Sequence, residues 1–594
     1  MKKLLVFLYL ISIAFSYNVK LSDKIIKTLE LTHGKKSVFT EANKQKIDLT
    51  LILFDAKRNW DDLTPEAKEY VQKYIDRPTL PPNNYISKSN KFQIYYYTTG
   101  TDAVSLTDAN SNSVPDFVEL VANTLDSVYT VYQNTGFVMP YPVYPTKSTP
   151  TKFAVFLSGS EAGDGVYGYV EPEIKLGDNP SSSQIEKSAW SSYMVLRNEY
   201  VNFVGGNTTI ADIALKATCA HEFMHAVQFS VAETMDQYFM EMAATWAEQF
   251  IFPNFYDNIQ YSMMFTNPDI SLDYDDDETS INDYSGHWYS TWYFLKYITT
   301  RYGNNILVSL YNNHISMNTY QSFNKELAKQ GTDFKNTYFN TAITLGIMNN
   351  NSSLSNIYYL QNAANYLTEL AKYGISNVKY EKSYTFDGTN SITFNFANSN
   401  KILWRFGTDY FNIKSNSNFT IALNSDNPDS LKVALIQSDK KNLPTKMKVT
   451  IAAKNNNSYL INVNDASNYA ENILVVSNIS KITDTISVPY NFTISKLTAN
   501  ENTNLKNYSY NLFQNYPNPF NPTTTISYSL PDNMNISLKV YNILGSETTT
   551  LYEGYQRAGI HKIQFNANNL NSGIYLVKLT SNYGAKFIKV NLVK

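Results

Sequence analysis

Two histidines spaced four residues apart, His221 and His225, are the side chains in this sequence best suited to do chemistry. On an α-helix, residues four apart differ by only about 40° of rotation, so both imidazoles point toward one place. Converging imidazoles can bind zinc, and Glu222, beside the first, can then take a proton from a water that zinc makes acidic. The spacing therefore predicts metal-assisted hydrolysis. The competing interpretation is an amphipathic helix with two hydrogen-bonded histidines.

A second helical pattern, over residues 236–252 and ending before Pro253, supplies carboxylates. A catalytic zinc with two histidine ligands takes a third protein ligand, commonly a carboxylate, and keeps one position open for water. Glu241 is the candidate third ligand. Glu248, two turns later on the same face, is the candidate hydrogen-bond partner of a ligating imidazole. The alternative for both glutamates is ordinary exposure to solvent.

These two motifs together, a His-Glu-x-x-His helix and a following helix with Glu241 and Glu248, resemble the gluzincin zinc metallopeptidases. The similarity to secreted bacterial proteins of that type extends over residues 92–374. The resemblance implies that zinc is bound by both histidines and Glu241, with Glu222 as the general base. The family usually has glycine after the ligand glutamate, where this chain has Met242. The bulkier residue leaves the ligand chemistry intact but implies a different pocket shape.

Peptide hydrolysis also needs a hydrogen-bond donor to the oxyanion that forms in the transition state. Related peptidases use Tyr or His from a helix that follows the ligands, and Tyr284 and His287 occupy that place in this sequence. We therefore expect a catalytic role for these two side chains. The alternative for both is ordinary packing.

Oxygen-bearing groups recur between residues 108 and 119 with the spacing of an EF-hand-like calcium loop. The expected ligands are Asp108, Asn110, Asn112, Asp116 and Glu119 through their side chains and Val114 through its carbonyl. The glycine usual at the sixth position is Ser113 here, which predicts weak affinity. A structural Ca2+ is the favoured interpretation. The alternative is an Asx turn that leads into a helix.

The chain has 594 residues and a net charge of -3, and charged residues make up 17% of it. An average soluble domain has roughly 25% charged residues. The length predicts several domains rather than one core. A weakly charged, near-neutral chain gives no indication of binding to nucleic acid or to an anionic membrane. We expect a monomer whose partner at the site is a protein or peptide substrate.

A charged start followed by an apolar run over residues 4–15 predicts a secretory signal peptide, residues 1–16. No later stretch of the sequence is apolar enough to predict a transmembrane span. The single cysteine, Cys219, excludes an intrachain disulfide, so stability must come from packing and bound metals. Its position two residues before His221 predicts that Cys219 points away from the metal into the core.

Residues 17–90 contain two helical patterns and then a proline-rich break. This N-terminal helical region is either a pro-segment that covers the active site or a helical cap, and the sequence leaves both open. Residues 91–376 are the expected zinc metallopeptidase domain. In gluzincins an edge strand above the zinc pairs with the substrate backbone, and residues 192–198 are its expected counterpart.

Short alternating runs replace helical periodicity after residue 377 and predict a β-sandwich of about seven antiparallel strands over residues 377–497. A polar linker, residues 498–510, follows. The expected fold class is therefore multidomain α+β, with a gluzincin-like metallopeptidase domain followed by two antiparallel β-sandwich domains.

The last domain, residues 511–594, contains a proline-rich run at 512–526, then Val540-Tyr-Asn-Ile-Leu-Gly545, then Gly573-Ile-Tyr-Leu. These segments closely resemble the C-terminal sorting domain of the type IX secretion pathway. The resemblance implies a small β-sandwich that engages the type IX secretion machinery and directs passage across an outer membrane. The protein is then released or attached to the cell surface.

These observations predict a secreted zinc-dependent endopeptidase that acts on extracellular proteins. An endopeptidase is favoured because the chain lacks the Gly-x-Met-Glu-Asn segment with which gluzincin aminopeptidases hold a free α-amine. The competing class is a cell-surface binding or adhesion protein whose metal site is structural or inactive. Glu222 argues against that class, because a structural site needs ligands but no base.

Overall fold

The computed structural model describes residues 18–33, 49–143, 151–274, 287–399, 402–480, 487–497, 510–530, 534–556, 559–581 and 583–594. The expected signal peptide, and all but the last residue of the expected linker, lie outside this described part. The chain divides into two compact units. The first comprises Met1–Tyr261, Asp275–Leu295 and Asn304–Thr319, and the second comprises Ser262–Tyr274, Lys296–Gly303 and Tyr320–Lys594.

The helices account for much of the first unit and part of the second. In chain order they are α1 (Val19–His33), α2 (Leu49–Arg58), α3 (Pro65–Ile75), α4 (Asp116–Thr135), α5 (Gly159–Ala162), α6 (Thr208–Phe229), α7 (Gln237–Ile251), α8 (Met263–Thr266), α9 (His287–Ser290), α10 (Trp292–Tyr302), α11 (Asn305–Asn313), α12 (Thr319–Ala328), α13 (Phe334–Ile347) and α14 (Ala363–Lys372). None of the helices that the structure describes is both long and apolar enough to cross a membrane.

A five-stranded mixed sheet organises the first unit. Its strands are β1 (Asn83–Ile86), β2 (Phe92–Tyr96), β3 (Phe153–Leu157), β4 (Gly168–Gly177) and β5 (Ala189–Leu196). Their order is β1-β2-β3-β5-β4, and β4 pairs antiparallel with β5 at one edge. The prediction that residues 192–198 form the edge strand was wrong, because β4 folds back outside β5 and takes the edge itself.

Helices cover both faces of this sheet. On one face, Phe92 and Phe153 of the strands and Phe223 of α6 have ring centroids 5.2 to 5.9 Å apart. On the other face, α1, α2 and α3 contribute Leu29, Leu53 and Val71 to an apolar cluster with strand side chains such as Phe156 and Tyr193. The N-terminal helical region is therefore part of the core of the first unit.

Helix α6 is buried along its last sixteen residues except at Lys216, and it begins at a well-formed cap. The side chain of Asn207 accepts hydrogen bonds from the backbone N–H groups of Thr209 and Ile210, which satisfies two donors that a helix start leaves open. Gly168 of β4 lies so close that a Cβ there would meet Thr218 Cγ2 at 2.9 Å. The backbone of β4 at Gly168 therefore packs directly against the Thr218 side chain of α6.

A ten-stranded β-sandwich forms a large part of the second unit, with more strands than the seven expected. Its strands are β6 (Lys382–Thr385), β7 (Ile392–Asn395), β8 (Thr408–Lys414), β9 (Phe419–Asn424), β10 (Leu431–Ser438), β11 (Met447–Ile451), β12 (Ala453–Asn455), β13 (Ser458–Val463), β14 (Glu471–Asn478) and β15 (Asn491–Lys496). The two sheets have the orders β11-β10-β14-β8-β6 and β12-β13-β9-β15-β7. All pairings are antiparallel except that of β6 with β8.

Helix α13 packs on the outer face of the first of these sheets. The Tyr410 hydroxyl of β8 donates to the carbonyl of Ala342 at 2.7 Å, and Gly346 allows the Tyr410 ring to approach. This packing explains why residues 320–376 belong to the second unit. The expected boundary between residues 376 and 377 remains a prediction.

The C-terminal domain is a smaller antiparallel sandwich. Its strands are β16 (Asn511–Leu512), β17 (Thr523–Leu530), β18 (Met534–Asn542), β19 (Glu547–Gln556), β20 (Gly559–Asn566), β21 (Gly573–Ser581) and β22 (Gly584–Leu592). They form a three-stranded sheet, β16-β17-β20, and a four-stranded sheet, β19-β18-β21-β22. Ile526, Leu538 and Val577 lie in its apolar core. The chain as a whole is therefore mixed α+β with several sheets.

Candidate metal centre

Helices α6 and α7 bring His221, His225 and Glu241 together. Nε2 of His221 lies 3.2 Å from Oε2 of Glu241, and Nε2 of His225 lies 3.4 Å from Oε1 of the same carboxylate. Across the part of the chain that the structure describes, this is the one group of three or more His, Cys, Asp or Glu side chains whose ligand atoms all lie within 4.8 Å. The three predicted zinc ligands thus converge.

The spacing between these two nitrogens and the two oxygens of Glu241 fits a bound ion better than a hydrogen-bonded cluster. A charge-assisted N–H to carboxylate hydrogen bond is about 2.7–2.9 Å long, shorter than the 3.2 and 3.4 Å observed. Zinc bonds of about 2.1 Å in a tetrahedron place neighbouring ligand atoms about 3.4 Å apart. Two imidazole nitrogens and a carboxylate oxygen are also the donor set that zinc prefers in hydrolytic sites. The residues present therefore fit zinc.

The Nδ1 nitrogen of each imidazole, which is not the one next to Glu241, has its own hydrogen-bond partner. His221 Nδ1 lies 2.8 Å from Glu248 Oε1, and His225 Nδ1 lies 2.8 Å from Gln228 Oε1. The Gln228 amide nitrogen donates to the carbonyl of Met240 and to the hydroxyl of Tyr311, so its oxygen is the atom that accepts. Nδ1 of His225 therefore carries hydrogen, and an ionised Glu248 sets the same tautomer on His221, so that each Nε2 presents its lone pair to the site.

Glu248 occupies the place that the sequence indicated, whereas Gln228 was missed by sequence reasoning. Gln228 follows His225 by three residues on α6, and residues three apart are neighbours on a helix surface. That spacing was a usable signal. Glutamine is so common on helices, however, that the spacing alone does not distinguish a partner of His225 from an ordinary helix residue.

Glu222 is buried beside the ligands and accepts a hydrogen bond from a distant residue. The Thr50 hydroxyl of α2 donates to Glu222 Oε2 at 2.9 Å. The same hydroxyl oxygen accepts from the backbone N–H of Val170 in β4 at 3.0 Å. Thr50 is 172 residues away in sequence, so no local pattern could have indicated its contact with Glu222.

The segment expected to supply an oxyanion donor is described only in part. Tyr284 lies outside the described residues, and His287 is buried at the start of α9. Tyr289, two residues further along, stacks against His221 with ring centroids 5.7 Å apart and against Tyr261 at 4.8 Å. The sequence indicated the helix but not Tyr289.

The expected calcium loop is closed by internal hydrogen bonds. Asp108 accepts from the backbone N–H groups of Asn112 and Ser113 at 3.1 and 2.8 Å. The two oxygens of Glu119 accept from the side-chain amides of Asn110 and Asn112 at 2.7 and 2.9 Å. The amide nitrogens, rather than the oxygens, thus face the carboxylate in this arrangement.

The rest of the loop leads into α4. Asp116 is the first residue of that helix, and its carboxylate accepts from the backbone N–H of Ala109 at 3.1 and 3.2 Å. Val114 donates its N–H to Asn112 Oδ1 at 2.9 Å. These contacts are those of Asx turns before a helix, and a calcium ion at this loop remains a prediction.

Burial changes the chemistry of two further groups near the site. On the edge strand β4, Glu171 is fully buried, and desolvation raises the pKa of its carboxyl to about 7, although the nearby Lys57 ammonium acts in the opposite direction. Burial also raises the pKa of the Cys219 thiol. Cys219 lies in the core of α6 as a neutral, unreactive thiol.

Comparison with known proteins identifies the C-terminal domain. The family model described as "Secretion system C-terminal sorting domain" matches residues 514–593. No curated protein matches the chain.

Similar solved structures include the pre-peptidase C-terminal domain of a collagenase from Bacillus anthracis, with 13% identity and a TM-score of 0.14, over 20% of this chain and 98% of that chain. They also include a beta-1,2-glucanase from Parabacteroides distasonis, with 8% identity and a TM-score of 0.12, over 30% of this chain and 28% of that chain. The match to residues 514–593 shows that this chain has a type IX secretion C-terminal sorting domain, through which it is secreted or attached to the cell surface.

Proposed function

We propose that this protein is a zinc-dependent peptidase of the gluzincin type that hydrolyses peptide bonds in extracellular proteins. The observation that carries the proposal is the convergence of His221, His225 and Glu241 with Glu222 next to them in α6. Nitrogen and oxygen ligands on two adjacent helices, with an acidic residue beside the first ligand, form the arrangement used for metal-assisted hydrolysis.

The side chains have distinct roles in this proposal. Zinc, when bound, supplies Lewis acidity and lowers the pKa of a coordinated water to about 7. Glu222 accepts the proton of the attacking water and passes it to the departing amine. Glu248 and Gln228 hold the two imidazoles in the tautomer that binds metal. Tyr284 and His287 are the proposed oxyanion donors.

A second candidate is a binding or adhesion protein with a structural metal site, and the burial of the centre favours it. His221 and His225 have no exposed surface, and Glu241 and Glu222 are 1% and 2% exposed. Structural zinc sites, however, almost always use four protein ligands. Three ligand side chains plus an acid suited to proton transfer favour the peptidase.

We also propose that the loop between residues 108 and 119 binds a structural Ca2+. Rotation of the amides of Asn110 and Asn112 would turn their oxygens toward the carboxylate of Glu119, and together with Asp108 these oxygens are the donor set of a calcium loop. Calcium should then raise the melting temperature of the wild type but not of Glu119→Gln. Equal melting temperatures in calcium and in chelator would contradict this site.

The peptidase proposal is tested by casein digestion with the purified chain and two variants. Glu222→Gln should keep zinc and lose at least about a hundredfold in rate, because it removes the proton acceptor but no ligand. Glu241→Gln should lose both zinc and activity. Glu66→Gln, at an exposed glutamate of α3, is the matched control. Full activity of Glu222→Gln would show that Glu222 is not the base.

A further inference from the structure

The metal centre is closed in this structure. A peptide substrate has to reach the fourth position of the zinc and the carboxylate of Glu222, yet no ligand is more than 1% exposed and Glu222 is 2% exposed. A peptidase with this centre must therefore open before it can act. Two of the elements that cover it are α9, whose Tyr289 stacks on His221, and α2, whose Thr50 contacts Glu222.

Helix α2, in the N-terminal region, contacts the proposed base directly. Its residues from Leu49 to Ala56 are all buried, and the Thr50 hydroxyl donates to Glu222 Oε2 at 2.9 Å. A carboxylate oxygen that accepts this hydrogen bond is less available to accept the proton of an attacking water. In this state α2 occupies one of the two oxygens of the base.

The same helix occupies the outer edge of strand β4. The backbone N–H of Val170 donates to Thr50 Oγ1 at 3.0 Å. Lys57 Nζ donates to the carbonyl of Pro172 and pairs with Glu171 at 2.6 Å. Because β4 is an edge strand, its outward backbone groups are those with which an extended peptide would pair. Side chains of α2 therefore occupy the edge where a peptide would lie.

We propose that α2 is an inhibitory helix, so that the chain in this form is latent and cleaves substrate only after α2 leaves Glu222 and β4. The inference rests on the proposed peptidase function and specifies its regulation. It also distinguishes between the two interpretations of residues 17–90, because it makes α2 a segment that covers the active site.

The contacts of α2 explain why the closed form is the resting one. Leu49, Ile52 and Leu53 are part of the apolar cluster on the sheet, so displacing the helix exposes them to water. The Lys57 and Glu171 side chains are 13% and 0% exposed, and a buried pair is costly to break by removing one partner. Removal of either the Thr50 hydroxyl or the Lys57 charge should therefore increase the open population.

The experiment uses the full zinc-loaded chain and the variants Thr50→Val and Lys57→Met. Two properties are measured, the rate at which a chelator removes zinc and the rate of casein cleavage. Thr28→Val is the matched control, because the Thr28 hydroxyl donates to Lys24 within its own helix α1 and removal of that bond leaves α2 unchanged. We expect both rates to rise about tenfold in each test variant, since one hydrogen bond or ion pair is lost, and to stay unchanged in Thr28→Val.

The two measurements separate the failure of this inference from the failure of the proposed function. If zinc removal is equally fast in the wild type, the test variants and the control, α2 does not close the centre. If Thr50→Val lowers cleavage and leaves zinc removal unchanged, Thr50 positions the base and the inhibitory role is wrong. If zinc removal accelerates but no form cleaves casein, α2 covers the centre and the peptidase function is wrong. The double variant with Thr50→Val and Glu222→Gln should lose the cleavage that Thr50→Val alone gains.

Discussion

The two imidazoles of the candidate metal centre are held by different chemical groups, a carboxylate for His221 and an amide for His225. The Gln228 amide depends on two further partners. Its oxygen faces His225 as long as its nitrogen donates to the Met240 carbonyl and the Tyr311 hydroxyl. The orientation of each imidazole thus depends on side chains outside the proposed set of metal ligands.

A change at Gln228 should lower zinc affinity without removing a ligand. We expect Gln228→Leu to weaken zinc binding about 10–100-fold, as loss of such a supporting hydrogen bond typically does. Gln228→Glu keeps an acceptor for His225 Nδ1 and should bind zinc more tightly than Gln228→Leu. Competition with a chromogenic chelator measures both. Equal affinity in the wild type and Gln228→Leu would show that this hydrogen bond does not support the ligand.

Glu171 should make stability depend on pH in a defined direction. Its pKa is about 7 in the folded chain against an ordinary 4.5, so the folded state binds the proton more tightly than the unfolded state. Stability from this group is therefore fully present below about pH 4.5, falls as pH rises to about 7, and is constant above that. Glu171→Gln removes the titration.

Urea denaturation of the wild type and Glu171→Gln at pH 4 to 8 measures this effect. The stability of the variant relative to the wild type should increase by about 3 kcal/mol between pH 4.5 and 7, because one pKa unit corresponds to about 1.4 kcal/mol. A constant difference across that range would mean that the Glu171 pKa is the same in both states.

At the scale of elements, sequence reasoning succeeded where a pattern is local and failed where it is not. The four-residue spacing of His221 and His225 is a property of one helix, so both the helix and the convergence could be expected. The order of strands in the sheet depends on which chain segment folds back outside which, and no run of apolar residues contains that information. The contact of Thr50 with Glu222 likewise joins elements far apart in sequence.

The same limit explains why the strands of the second unit were predicted incompletely. Alternating runs predicted a sandwich, but the short strands such as β12 have too few residues to show a period of two. Only packing shows that helix α13 lies on the sandwich, through Tyr410 and Ala342.

The close approach of β4 to α6 predicts that Gly168 controls the position of helix α6. A Cβ at Gly168 would lie 2.8 Å from Leu196 Cδ2 and 2.9 Å from both Thr218 Cγ2 and the Val195 carbonyl oxygen. Gly168→Ala should therefore destabilise the first unit by about 1–3 kcal/mol and weaken zinc binding, because α6 must shift away from the sheet. Denaturant unfolding and zinc titration measure the two effects. A variant as stable as the wild type would show that the packing is looser than described.

At the scale of the whole molecule, the C-terminal sandwich has its own apolar core and a separate task. This sandwich is the sorting domain, which directs the protein out of the cell. The residues that we propose for chemistry lie in the first unit. Deletion of residues 511–594 should therefore leave the protein inside the cell.

Immunoblots of cells and medium, after expression in a host with type IX secretion, test this separation. Glu222→Gln is the control and should be exported like the wild type, because it changes one buried side chain in the other unit. Export of the truncated chain at the normal level would contradict the role of the sorting domain.

The proposed peptidase depends on a metal ion held by His221, His225 and Glu241 with one position left for water. Crystallographic data collected at the zinc absorption edge measure this directly through the anomalous signal. We expect one strong peak about 2.0–2.2 Å from Nε2 of both histidines and from a Glu241 oxygen, with a non-protein fourth ligand. A zinc-loaded crystal with no peak among these three side chains, or with a fourth protein ligand that closes the site, would contradict it.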